Sequence, residues 1–252
     1  MTPASLKAEY DRILANATID VMVQGADEAR VADLLLQKLQ NHPRTPQPFA
    51  APMGMPPAPV RHFAEEIPGL TQAKLCMLFT AGGNPNPPSV SILRVAMSVL
   101  GGSATSRLFR NVREKQSLCY YCGSAAQRAT GVMMIDSGVE PGKEQQAEEA
   151  ILAEWEALKN GPITQEEVDD CRRGLLSSMD ALGDSLAALE NWYYGQITRG
   201  EPLYPPQYGK VLTSAVTLDE VRQALQGYHY SVCYAVTAKP GTQGKGGAED
   251  VQ

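Results

Sequence analysis

The sequence predicts an α+β fold, a mainly antiparallel sheet with helices packed on one face. Two observations lead there. Short runs of alternating apolar residues take turns along the chain with longer segments whose apolar residues recur every three to four positions. Two of the short runs are joined by the polar segment Gln127–Gly131, which reads as a hairpin turn and therefore as antiparallel pairing. With 252 residues the chain is long enough to bury a core of its own. Residues 1–240 read as one domain, and the Gly-rich tail 241–252 is expected to be disordered.

In chain order, Ile19, Val21 and Val23 alternate with Asp20 and Met22, which suggests a strand ending at Gln24-Gly25. Val31, Leu34, Leu35 and Leu39 then recur at helical spacing. Residues 43–60 are so rich in Pro that they can only connect. A strand is expected over Ala73–Phe79, with Leu75, Met77 and Phe79 on one face, followed by a loop over Gly82–Pro88. Val90, Leu93, Ala96, Met97 and Leu100 form the next helical stripe, stopped by Gly101-Gly102, and a short helix covers Ser106–Lys115. The hairpin strands follow at Leu118–Ala125 and Val132–Val139. A helix over Gln145–Lys159 buries Ala147, Ile151, Trp155 and Leu158 and stops at Asn160-Gly161-Pro162. Thr164/Glu167 and Thr217/Glu220 have the spacing of capping boxes, in which hydroxyl and carboxylate satisfy the first free amides of a helix. The helical region after Thr164 runs to about Arg199 with a bend near Gly183, and a last strand covers Val232–Val236.

Composition excludes several functions. The net charge is −6 with no basic stripe, which argues against nucleic acid and against anionic membranes. No apolar run approaches the roughly 18 residues of a transmembrane helix. Met1–Lys7 lacks the pattern of a secretory signal. Five scattered cysteines, an odd number, make no disulfide framework, so a reducing cytoplasmic setting is expected.

The informative stretch is Gly101–Ser124, GGSATSRLFRNVREKQSLCYYCGS. Arg113 falls in the last turn of the short helix and Tyr120 comes seven residues later, at the start of a strand. A guanidinium and a phenol side by side can donate to peptide carbonyls or to a developing oxyanion. On spacing alone, Arg113 capping its own helix and Tyr120 filling core space is the simpler reading.

This stretch resembles the C-terminal half of the insulinase, pitrilysin and mitochondrial-processing-peptidase family of inverted-motif zinc metallopeptidases. The likeness rests on the Gly-rich turn, Arg107-Leu108-Phe109, Arg113-Glu114-Lys115, and Tyr120 seven residues after Arg113. Gln72, Lys74–Phe79 and the hairpin ending in Ser137-Gly138 extend it. The resemblance implies a processing-peptidase-like metallohydrolase module in which Arg113 and Tyr120 bind substrate and help stabilise the tetrahedral intermediate. It also implies a zinc-bearing half, in the same gene or in a partner subunit, and a peptide substrate. Zinc is expected in that half, and no cofactor or catalytic residue is expected in this chain. The family's chemistry needs His-x-x-Glu-His on a helix, whereas this chain has only His42, His62 and His229. The nearest approach, His62-Phe63-Ala64-Glu65-Glu66, lacks the second histidine. The expected function is thus the substrate-binding, non-zinc half of a metalloendopeptidase. The alternative is a catalytically inactive subunit that binds peptides or acts as a scaffold.

Other features carry less. Cys119-Tyr120-Tyr121-Cys122 is a C-x-x-C, but positions three apart on a regular strand face opposite ways, so ordinary buried thiols are expected. Gly101-Gly102-Ser103 lacks the lysine and length of a phosphate cradle. Glu166, Glu167, Asp169 and Asp170 complement a helix dipole. Trp192, Tyr193 and Tyr194 are expected in the core, with a peptide-binding wall as the sharper option.

Overall fold

The computed structural model describes residues 2–24, 27–40, 43–47, 59–81, 89–127, 132–198 and 200–239. Five strands form one sheet: β1 (Arg61–Ile67), β2 (Ala73–Thr80), β3 (Cys119–Gln127), β4 (Val132–Val139) and β5 (His229–Ala238), in the order β1-β5-β2-β4-β3. Only β1 and β5 run parallel, and every other pair is antiparallel. The family of α+β folds with a mainly antiparallel sheet is therefore the right one.

Pleating sorts the side chains. Leu75, Met77 and Phe79 of β2 lie beside Ser137, Ile135 and Met133 of β4, and all six are buried. Against them pack α3 (Val90–Leu100), α4 (Glu144–Asn160) and α8 (Leu218–Gln226), through Leu93, Leu100, Ile151, Trp155, Val221 and Leu225. The Phe79 and Trp155 rings meet at 4.7 Å. On the opposite face Phe63, Tyr121, Met134 and Tyr234 stay exposed. The helices are thus on one face of the sheet, as the alternation in β2 demands.

Several local signals hold where they were read. The helix expected around Val31–Leu39 is α2 (Glu28–Leu39), and Ala147, Ile151, Trp155 and Leu158 are the buried residues of α4. Both capping boxes form, at α5 (Gln165–Asp180) and α8. The predicted bend is a 3₁₀ turn over Ala181–Asp184 between α5 and α6 (Leu186–Thr198). The short helix before the hairpin is a π-helix, Leu108–Lys115. The expected hairpin turn, the Gly82–Pro88 loop and the tail lie outside the described residues, wholly or nearly so.

Three corrections follow. Residues 18–24 are extended but form no strand, and Ile19 and Val21 are exposed. Alternation makes a strand only where another backbone is free to pair with it. Conversely β1, exposed along its whole length, forms on the strength of its ladder with β5. Helices α1 (Pro3–Asn16) and α7 (Pro206–Ser214) were not anticipated, although each has proline in its first turn, and α1 is closed by Thr2 and Ser5. No described helix is long and apolar enough to cross a membrane.

Candidate functional site

The site is assembled from the exit of α3 to the start of β3. Helix α3 ends at Gly101, whose N–H donates to the Met97 carbonyl at 2.9 Å. A Cβ on Gly101 would come within 2.8 Å of Leu108 Cδ1 and 2.9 Å of the Ser124 nitrogen. Glycine is therefore needed for the chain to pass between the π-helix and β3.

The π-helix is fixed at its start by Arg107. The guanidinium donates to both carboxylate oxygens of Glu167, at 2.9 Å each, and to the Pro162 carbonyl at 2.7 Å. Burial alone would raise the Glu167 pKa, but Arg107 and the Thr164 amide and hydroxyl together hold it below the ordinary carboxylate value. The same carboxylate closes the α5 capping box and receives Arg110 at 3.2 Å. One acidic side chain thus joins the π-helix to the N-terminus of α5.

At the other end of the π-helix the chain turns through Ser117, whose φ of 51° is the left-handed value rare for a residue with a side chain. It then enters β3 through a bulge: Cys119 faces Val139 and Tyr121 faces Gly138, which leaves Tyr120 as the extra residue, 56% exposed. Arg113 and Tyr120 line one cleft of about 370 Å³, together with Glu114, Ser117 and Glu140. The Arg113 guanidinium lies 4.5 Å from the centre of the Phe109 ring and 3.4 Å from Glu114. These contacts hold a partly exposed cation, ion-paired with Glu114, at the wall of the cleft. Among the described strands β3 is an edge, so the cleft adjoins a backbone row with no strand paired to it, although further along that row the Ser124 N–H donates to the Gly101 carbonyl at 3.4 Å. Ser117 and Glu140 were not singled out from sequence. A polar residue at a helix exit was the only available signal.

The bulge also alters the C-x-x-C. Both thiols are buried, as expected, but the extra residue turns Cys119 and Cys122 to the same face, opposite Val139 and Ser137. The Cys122 thiol donates to Cys119 and lowers its pKa against the opposing effect of burial, with further help from Ser137 and Arg113. The pKa of Cys122 is raised in turn.

Trp192 is a core residue. Its indole N–H donates to the Tyr204 carbonyl at 2.9 Å, and its ring lies against Gly209, clipping α6 to α7. His62 and His229 lie on strands, so neither can supply two imidazoles one turn apart on a helix. Hydrolytic zinc of the H-x-x-E-H kind does not fit the described residues.

The sequence profile described as "Peptidase M16 inactive domain" matches residues 1–175. The chain belongs to that family. In Bacillus subtilis (strain 168), the "Probable inactive metalloprotease YmfF" is 32% identical over 104 residues, which is 41% of this chain and 24% of that protein. Among solved structures, a conserved protein from Enterococcus faecalis V583 superposes with a TM-score of 0.77 at 24% identity, covering 95% of this chain and 56% of that one. The peptidase M16 inactive domain from Pseudomonas fluorescens gives 0.67 at 22% identity, covering 95% and 58%. The structural matches establish the fold. The chain spans about a quarter of the curated relatives it matches.

Proposed function

We propose that residues 1–240 act as one peptide-holding module of a metallopeptidase, with 241–252 as a tail, and that the hydrolytic zinc is supplied by another half, on the same chain or on a partner. The supporting observation is that Arg113 and Tyr120 line one cleft beside the edge strand β3. A peptide laid along β3 would gain main-chain hydrogen bonds, which favour breadth over sequence selectivity. From the cleft, Arg113 would donate to a substrate carbonyl. The bulged Tyr120 hydroxyl would donate to oxyanion charge as it develops. The proposed setting is the cytoplasm.

A second reading has a specific observation behind it. The matching family is described by its inactive domain, and the chain lacks H-x-x-E-H. On that reading the module binds peptides or organises a partner without taking part in hydrolysis.

The test uses the native protein purified with whatever accompanies it. In the assembled enzyme Tyr120→Phe lowers turnover about 10²-fold, the effect of losing one oxyanion donor. Arg113→Ala weakens peptide binding in a calorimetric titration. Wild-type turnover in Tyr120→Phe removes Tyr120 from the chemistry. Absence of any peptidase activity in the native assembly, with peptide affinity intact, favours the second reading.

A further inference from the structure

At the opposite edge of the sheet from the cleft, three metal-ligand side chains meet from distant parts of the chain. His62 of β1 and Cys233 of β5 are register partners in the parallel pair, so their side chains leave the sheet together. Glu148 comes from α4. One nitrogen, one oxygen and one sulfur atom from these residues lie within 4.8 Å of one another, and His62 Nε2 is 2.8 Å from Glu148 Oε1.

We propose that His62, Glu148 and Cys233 form a binding site for a zinc-type divalent cation that clips the edge strand β1 to β5 and α4.

The donor set is one that borderline cations select: imidazole, carboxylate and thiolate. A tetrahedral ion with bonds of roughly 2.0–2.3 Å holds its ligands roughly 3.3–3.8 Å apart. The observed geometry therefore needs an adjustment in both senses: the His62–Glu148 pair at 2.8 Å opens by about 0.5 Å, and the widest separation, within 4.8 Å, closes by about 1 Å. His62 can supply it, because its side chain is 60% exposed while Cys233 is buried in the sheet. The exposed side leaves room for water as a fourth ligand. Tyr230 donates its hydroxyl to Glu148 Oε1 at 2.5 Å, the same oxygen that meets His62 Nε2, and so helps to orient the carboxylate, as outer-shell groups do at metal sites.

Hydrogen bonds already link the cluster: His62 and Tyr230 meet Glu148, and the Cys233 thiol, a weak donor and acceptor, is shared between Glu148 and Tyr230. A cation would add to these contacts by taking Cys233 as a thiolate. The need for a clip is also visible. β1 is exposed along its length, and its ladder with β5 is its only pairing among the described strands.

The test is a titration of the whole, chelator-stripped protein with Co²⁺. The proposal expects one ion per chain, visible bands of a tetrahedral centre and a thiolate-to-cobalt charge-transfer band, all removed by added Zn²⁺. Cys233→Ser loses the charge-transfer band. The exposed-site variant His62→Ala keeps the fold even if Cys233→Ser does not, and it loses stoichiometric binding. Tyr230→Phe weakens Zn²⁺ about 10- to 100-fold. Zn²⁺ raises the unfolding temperature of the wild type but not of His62→Ala. No thiolate band in the wild type, or a band that survives in either His62→Ala or Cys233→Ser, overturns the proposal.

Discussion

Replacing Arg107 with alanine tests how the cleft is held in place. Arg107 and Glu167 have side-chain exposures of only 9% and 15%, and they share two hydrogen bonds at 2.9 Å. Removing one member of a buried ion pair costs about 3–5 kcal/mol, because the other charge is left without its partner. Two features place Arg107→Ala at the low end. Arg110 remains 3.2 Å from Glu167 Oε1, and the Thr164 amide and hydroxyl still donate to Oε2 at 2.9 and 3.2 Å. The carboxylate also sits at the positive end of α5. The expected loss is therefore about 3 kcal/mol, or about 6–12 °C in unfolding temperature for a domain of this size. Glu167→Gln keeps the shape and loses less, and the double mutant shows a coupling above about 1 kcal/mol. The pH dependence has a definite sign. The folded Glu167 pKa lies below its unfolded value, so the stabilisation is present above about pH 4.3 and is lost as the pH falls through the folded pKa. Urea unfolding of both proteins from pH 7 to pH 3 measures this. A loss under about 1 kcal/mol at pH 7, or a difference that stays constant into acid, would refute the reasoning.

Two further outcomes are expected. In Gly209→Ala the new Cβ would overlap Trp192 Cη2. Overpacking costs about 1–3 kcal/mol and outweighs the gain of about 1 kcal/mol from replacing a helical glycine. Thermal unfolding should shift down with a change in Trp fluorescence, and a more stable variant would mean that Trp192 is not seated there. Iodoacetamide should modify Cys119 with a pH midpoint below the roughly 8.5 of a free cysteine, because Cys122, Ser137 and Arg113 favour its thiolate. Cys122→Ala should move that midpoint up. A wild-type midpoint at or above 8.5 contradicts the thiol pairing.

Features set by residues two to four apart could be read from the sequence. The Thr164/Glu167 and Thr217/Glu220 boxes, the Ala147-Ile151-Trp155-Leu158 stripe and the Leu75-Met77-Phe79 face were all legible. Their causes are helix hydrogen bonding and pleat period, which act within a few residues of the chain. Arg113 and Tyr120 could be picked out as a pair, but the spacing left their relation open. The turn at Ser117 and the bulge at Tyr120 brought them to one cleft. The same bulge put Cys119 and Cys122 on one face, against the rule for a regular strand. Residues 18–24 alternate as well as many strands do, yet form none, whereas the charged β1 is a strand because β5, from the far end of the chain, lies beside it. The meeting of His62, Glu148 and Cys233 has the same origin. Strand pairing and the convergence of distant side chains depend on which backbone edges and surfaces remain free once the core has closed, and only the folded chain settles that.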